Sequence, residues 1–263
     1  MRNYKLKPIT YDLTIGWLYP DLMSTYGDRG NIIVLEKRCQ WRGIKAQVKR
    51  LDLGFKTEDL RKCDLIFMGG AQDKQQKIVA KDLTEDKVNE LKNLIEEGIP
   101  GLFICGAYQF LGNYYKEADG TIIEGLKILD LYTESAGKGQ KRLIGDLIIQ
   151  SHKLEVNSEK LTFVGFENHG GRTYLGKEVL PFGKVLSGFG NNDKDKTEGA
   201  VYKNIIGTYL HGPALPKNPN LADYLIKKAL EKKYSKKIEL KELDDNLELK
   251  AHKAIANKYA VKL

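Results

Sequence analysis

Pro100-Gly-Leu-Phe-Ile-Cys-Gly-Ala-Tyr-Gln-Phe-Leu-Gly112 is an apolar stretch that changes character at a single residue. Gly101 to Ile104 has the length and composition of a buried strand, bounded upstream by Gly98 and Pro100. Cys105 closes it, and the apolar and aromatic residues that follow, to about Tyr115, read as a helix. A cysteine at such a turn sits on the positive end of the helix, where unpaired N–H groups favour thiolate over thiol. The serine of a nucleophile elbow is presented by the same architecture. A buried core cysteine has the same local sequence, so the chemical reading needs support from elsewhere in the chain.

Working outward, strand-like runs lie at Tyr11–Tyr19, Ile44–Leu51 and Asp64–Met68. The polar loop Pro20–Arg29 holds Tyr26-Gly-Asp-Arg-Gly-Asn31. Asp28 is placed to cap a helix over Ile32–Arg42 that Gly43 ends. The third strand runs into Gly69-Gly70-Ala71-Gln72-Asp73, and Thr84 precedes an amphipathic helix to Glu97. This alternation predicts an α/β fold built on a mostly parallel, doubly wound sheet. Ligands then gather at the C-terminal ends of the strands, where both Gly69-Gly70 and Cys105 lie.

Beyond Lys116 the pattern changes. Arg142–Gln150, Leu161–Phe166 and Val201–Tyr209 read as an antiparallel extension packed on the first half, the last run ending in Leu210-His211-Gly212-Pro213. Pro219–Tyr234 is an amphipathic helix, and Lys236–Leu263 is charged with apolar residues at rough helical spacing. The expected division is a catalytic domain over residues 10–215 and a C-terminal helical extension over 216–263, packed on it or on a partner.

Composition narrows the classes. The 263 residues are 41% hydrophobic and 30% charged, ordinary for a globular protein. No run of about 18 apolar residues predicts a membrane span, and the opening Met1–Pro8 has no apolar leader core. Cys39, Cys63 and Cys105 are odd in number and far apart, which suits a reducing, cytoplasmic setting. The net charge of +8 resides largely in a tail where lysine alternates with acid, a solvated face rather than a nucleic-acid site.

A thiolate nucleophile needs a base, normally histidine. Of the four histidines, His152 in a polar turn and His252 in the charged tail read as surface residues. His211 follows an apolar strand and precedes Gly212-Pro213, which makes it the choice; His169 is the alternative. A tetrahedral intermediate also needs backbone N–H donors on small residues, and Gly70 and Gly106 meet that requirement.

Ile104-Cys-Gly-Ala-Tyr-Gln109, the upstream Gly69-Gly70 and the late Tyr-Leu-His211-Gly together resemble the class I, triad-type glutamine amidotransferases, in their cobyric acid synthase-like branch. Tyr26-Gly-Asp-Arg-Gly-Asn-Ile32, Gly137-Lys-Gly-Gln-Lys-Arg142 and Phe166-Glu-Asn-His-Gly-Gly-Arg-Thr173 are similar to the glutaminase subunits of lipid II isoglutaminyl synthases. The resemblance implies a flavodoxin-like core and hydrolysis of L-glutamine by Cys105 with His211. It implies an oxyanion held by Gly70 and Gly106, and substrate contacts from Gln109 and Arg142, whose fork suits the α-carboxylate. It further implies a heterodimer in which ammonia passes to a Mur-ligase-like synthetase. That partner would hold ATP and Mg, with no cofactor on this chain, and would amidate D-glutamate of the membrane-anchored lipid II stem during peptidoglycan biosynthesis. Alternatives are a subunit for cobyrinate-type amidation and a catalytically degenerate binding scaffold. One departure stands out: the family's third triad member, a glutamate two residues after the histidine, is Pro213 here. Glu167, or an acid supplied in trans by the synthetase, is then expected to orient His211.

Overall fold

The computed structural model describes residues 11–261 except 138 and 157, so Met1–Pro8 lies outside the described residues. The first half runs β1 (Asp12–Leu18), α1 (Arg29–Trp41), β2 (Lys45–Leu51), α2 (Thr57–Leu60), β3 (Leu65–Met68), α3 (Asp73–Asp82), α4 (Glu85–Glu96), β4 (Gly101–Ile104) and α5 (Gly106–Phe110). The second half runs β5 (Tyr114–Lys116), β6 (Ile122–Glu124), β7 (Leu131–Ser135), β8 (Leu143–Val156), β9 (Glu159–His169), β10 (Gly171–Leu175), β11 (Gly183–Ser187), β12 (Thr197–Glu198), β13 (Ala200–Tyr202) and β14 (Ile205–Thr208). Helices α6 (Pro219–Tyr234) and α7 (Asn246–Lys258) follow.

The central sheet has the order β13-β14-β4-β3-β1-β2 and is parallel except for its edge strand β13. Every residue of β3, β4 and β14 is buried. Their largely apolar sequences follow from that, since a parallel sheet covered on both faces leaves little place for polar side chains; the buried Thr208 at the end of β14 bonds to Glu198. One covering layer is α6, which packs on β1, β3 and α1 through Leu221, Leu225, Ile226 and Leu230.

Several expectations are revised. The helix after Cys105 ends at Phe110, and Tyr114–Lys116 is already a strand. The run at 201–209 does not belong to the antiparallel half: β13 and β14 form a hairpin, and β14 lies parallel to β4, with Thr208 opposite Ile104. Two smaller sheets make up the extension, an antiparallel one ordered β12-β11-β8-β9 and a mixed one ordered β10-β7-β5-β6. Within the tail only 246–258 is α-helix; residues 236–245 are irregular. That segment is fixed by charge. Arg38, 1% exposed, donates to Asp223 and Asp245, and Arg42 donates to Asp223 and to the carbonyl of Lys241. His252 is no surface residue: it is buried between Thr162 and the carbonyl of Lys217, holding α7 against β9.

Candidate active site

Cys105 leaves β4 with φ 50° and ψ −104°, a left-handed conformation for a side-chain-bearing residue. Such backbone costs about 1–3 kcal/mol and persists only where its surroundings impose it. Here the Cys105 N–H donates to the carbonyl of Thr208 on β14, at 2.8 Å, and the Cys105 carbonyl accepts from Gln109 N–H. The turn therefore aims the thiol outward at the C-terminal edge of the sheet. Gly106 must lack a side chain, because a Cβ there would stand 2.9 Å from the backbone N and O of Ala71.

His211 arrives from the adjacent strand. Its backbone pairs in both directions with Phe166 of β9, which stitches the antiparallel extension to the catalytic edge. The ring lies beside Cys105, and both flank Gly70: a Cβ on that glycine would be 2.7 Å from His211 Cε1 and 3.4 Å from Cys105 Cβ. His211 Nδ1 faces Asp28 Oδ1 at 3.3 Å, and both side chains are fully buried. Nε2 has no hydrogen-bond partner among the described residues, so the nitrogen directed away from Asp28 is open. Burial disfavours the imidazolium, but Cys105 and Asp28 outweigh it and push the His211 pKa up to about 10. The imidazolium is the form of His211 that these surroundings favour.

Three assignments change as a result. Asp28 makes no side-chain cap to α1; its second oxygen accepts the Gly70 N–H at 2.6 Å. A carboxylate of this chain thus faces His211. Pro213 explains how: it packs against Gly30 in the first turn of α1, where a Cβ would meet its ring at 2.4 Å. The proline that removes the usual carboxylate thus seats the helix start that brings Asp28 in. Glu167 is committed elsewhere, accepting from Phe189 and Gly190 N–H and facing His169 Nε2 at 3.4 Å. Gly70 is no free oxyanion donor, because Asp28 takes its N–H; its contribution is room for the imidazole. The neighbouring Ala71 N–H has no acceptor among the described residues and lies against Gly106.

A cavity of about 430 Å³ opens over the thiol, lined by Cys105, His211, Gln109, Arg142, Asn168 and Ala71 among others. Gln109 is buried and donates through Nε2 to the Tyr209 hydroxyl at 3.0 Å. Arg142 stands at the rim, with Nε donating to Asn168 Oδ1 and one terminal nitrogen to the Asn168 carbonyl, each at 2.8 Å. Asn168 in turn donates to the hydroxyl of Tyr26, whose ring meets His211 edge-on at 5.2 Å. His169, the alternative base, lines the cavity but stacks flat on Tyr209 at 3.6 Å and bonds the Gly171 carbonyl. Burial holds its pKa below the usual value, which suits a neutral structural ring.

The structure therefore gathers Cys105, His211, Gln109 and Arg142 at one cavity, with Gly106 packed against the lining residues Ala71 and Gln76. It removes Glu167 from His211, gives Gly70 a steric role and adds Asp28, Ala71, Tyr26 and Asn168. One signal for Asp28 was in the sequence: a carboxylate flanked by glycines just past the C-terminal end of β1, on the edge where such sheets bind ligands.

The sequence profile of the CobB/CobQ-like glutamine amidotransferase domain matches residues 14–219. The GatD subunit of the glutamine-hydrolysing lipid II isoglutaminyl synthase of Staphylococcus aureus (strain N315) is 46% identical over 250 residues, covering 94% of this chain and 96% of that protein. Its counterpart from Streptococcus pneumoniae (strain ATCC BAA-255 / R6) is 41% identical over 237 residues, covering 90% and 88%. A crystal structure of a glutamine amidotransferase shares the fold, with a TM-score of 0.52 at 15% identity over 82% of this chain and 98% of that one.

Proposed function

The chain belongs to the CobB/CobQ-like glutamine amidotransferase family, in the branch of the GatD subunits, and on that premise we propose that it is the glutaminase subunit of a lipid II isoglutaminyl synthase. The observation that carries the reading is the meeting of Cys105, His211 and Asp28 at the ends of neighbouring elements, under one cavity. Cys105 thiolate attacks the side-chain carbonyl of L-glutamine. The developing oxyanion is received by the N–H groups of Gly106 and Ala71. His211 Nε2 protonates the leaving nitrogen, and ammonia departs, leaving a γ-glutamyl thioester. The neutral imidazole then takes a proton from water as it attacks the thioester, and glutamate and the thiolate are regenerated. Asp28 holds the imidazole in one tautomer throughout.

The ammonia is consumed by a synthetase subunit of the Mur-ligase type, which holds ATP and Mg and amidates the D-glutamate carboxyl of the lipid II stem. This chain contributes the nitrogen and the partner the activated carboxyl. Among the described residues no helix is long and apolar enough to cross a membrane. The test is Cys105→Ala in the co-purified complex. Amidation from glutamine should vanish while amidation from free ammonium persists; persistence of the glutamine-dependent reaction, or loss of both, overturns the assignment.

A further inference from the structure

The catalytic cavity is lined by groups of both charges. Arg142 is one of them, with two of its nitrogens engaged by Asn168. The first turn of α3 adds Asp73 and, three residues on and hence on the same helical face, Gln76. Asp73 is the sole carboxylate among the lining residues. Among the described residues it has no ion-pair or side-chain hydrogen-bond partner, because its neighbour Lys77 is bound to Glu117 at 2.7 Å. Gln76 is 1% exposed and donates to the Ala71 carbonyl, yet its Oε1 is buried with no partner. Asp73 is solvent-exposed, so water meets its carboxylate in the free chain, whereas Gln76 Oε1 on the same helical face is a buried acceptor without a donor. That buried deficit is costly, and a cationic group with several N–H donors serves both acceptors.

Resting on the glutaminase reading, we infer that Asp73 is the specificity residue for the α-ammonium group of the substrate. With Arg142 lining the same cavity, the site selects a free, zwitterionic α-amino acid over amides that lack a free α-amine. Desolvation and the nearby Glu117 raise the Asp73 pKa against the opposing pull of Lys77 and Arg142. A carboxylate in the first turn of a helix also interacts favourably with the helix dipole, so the test must separate recognition from stabilisation.

Glutaramate, which is glutamine without the α-amino group, makes that separation. The complex with the synthetase is assayed for ammonia release from L-glutamine and from glutaramate, with wild-type chain and with Asp73→Asn. The substitution should raise KM for glutamine with little change in kcat, and leave kcat/KM for glutaramate within about twofold. The preference for glutamine should then fall about 10- to 100-fold, the range for a hydrogen bond to a charged group. An equal fall for both substrates, or no change for either, overturns the inference in favour of a structural carboxylate. If the variant does not fold, the wild-type complex still decides: glutaramate must be the poorer substrate through KM, and equal KM values for the two amides refute the assignment. A wild-type complex that hydrolyses neither amide refutes the glutaminase reading itself.

Discussion

Asp28 is the residue whose role changes most between sequence and structure. As a helix cap it would be worth about 1 kcal/mol and nothing chemically. Buried with its two oxygens on His211 Nδ1 and Gly70 N–H, it fixes the tautomer that leaves Nε2 open toward the reaction. Asp28→Asn should therefore lower kcat for ammonia release by about 10²- to 10⁴-fold while leaving the fold intact, read by steady-state kinetics beside a thermal melt. A second buried carboxyl behaves differently. Glu198 accepts from Tyr209 N–H and Thr208 Oγ1 at the strand end that carries His211. Burial raises its pKa from 4.5 to about 8. The folded state thus favours the protonated form. That contribution is fully present below pH 4.5 and is lost as pH rises through about 8. The unfolding free energy of wild type should fall over this window relative to Glu198→Gln, which has no proton to lose, by at most about 1.4 kcal/mol per pH unit; parallel denaturant-melt profiles against pH would contradict it.

At the scale of elements, the site is made by what strand and helix ends leave out. β3 ends in Gly69-Gly70 because Asp28 and His211 occupy the space that side chains there would need: a Cβ on Gly69 would stand 2.4 Å from the Met23 carbonyl and 2.9 Å from Asp28 Oδ2. Gly70→Ala should displace the imidazole from beside Cys105 and cost about 10²-fold in kcat, the usual effect of a misplacement near 1 Å. Thermal stability should change far less than activity, which melts and kinetics on one preparation would show. The same logic governs Gly30 and Pro213, whose contact sets where α1 begins.

For the whole molecule, the tail is part of the fold. Arg38 joins α1 to Asp223 on α6 and to Asp245 just before α7, so helices distant in sequence share one buried cation. Arg38→Ala would leave Asp245 without its cation and Asp223 with Arg42 alone, and removing one member of a buried ionic cluster costs about 3–5 kcal/mol. Denaturant melts should register that loss while Cys105 chemistry in the folded fraction is kept, since the cluster lies apart from the catalytic cavity.

What the sequence determined by itself was local and covalent in origin. The apolar run ending in Cys105-Gly106 fixes a strand-to-turn junction, the alternation of short apolar runs with amphipathic helices fixes a parallel sheet, and a histidine closing the last buried run is the candidate base. These need only neighbours along the chain. Tertiary structure decided which acid serves His211, because Asp28 and His211 are 183 residues apart and no local periodicity links them. It also decided that β14 lies parallel beside β4, a pairing set by how the sheet closes rather than by either strand's composition. The role of Gly70 was decided the same way: a glycine's sequence reports that space is needed, and only the packed molecule shows which side chain fills it.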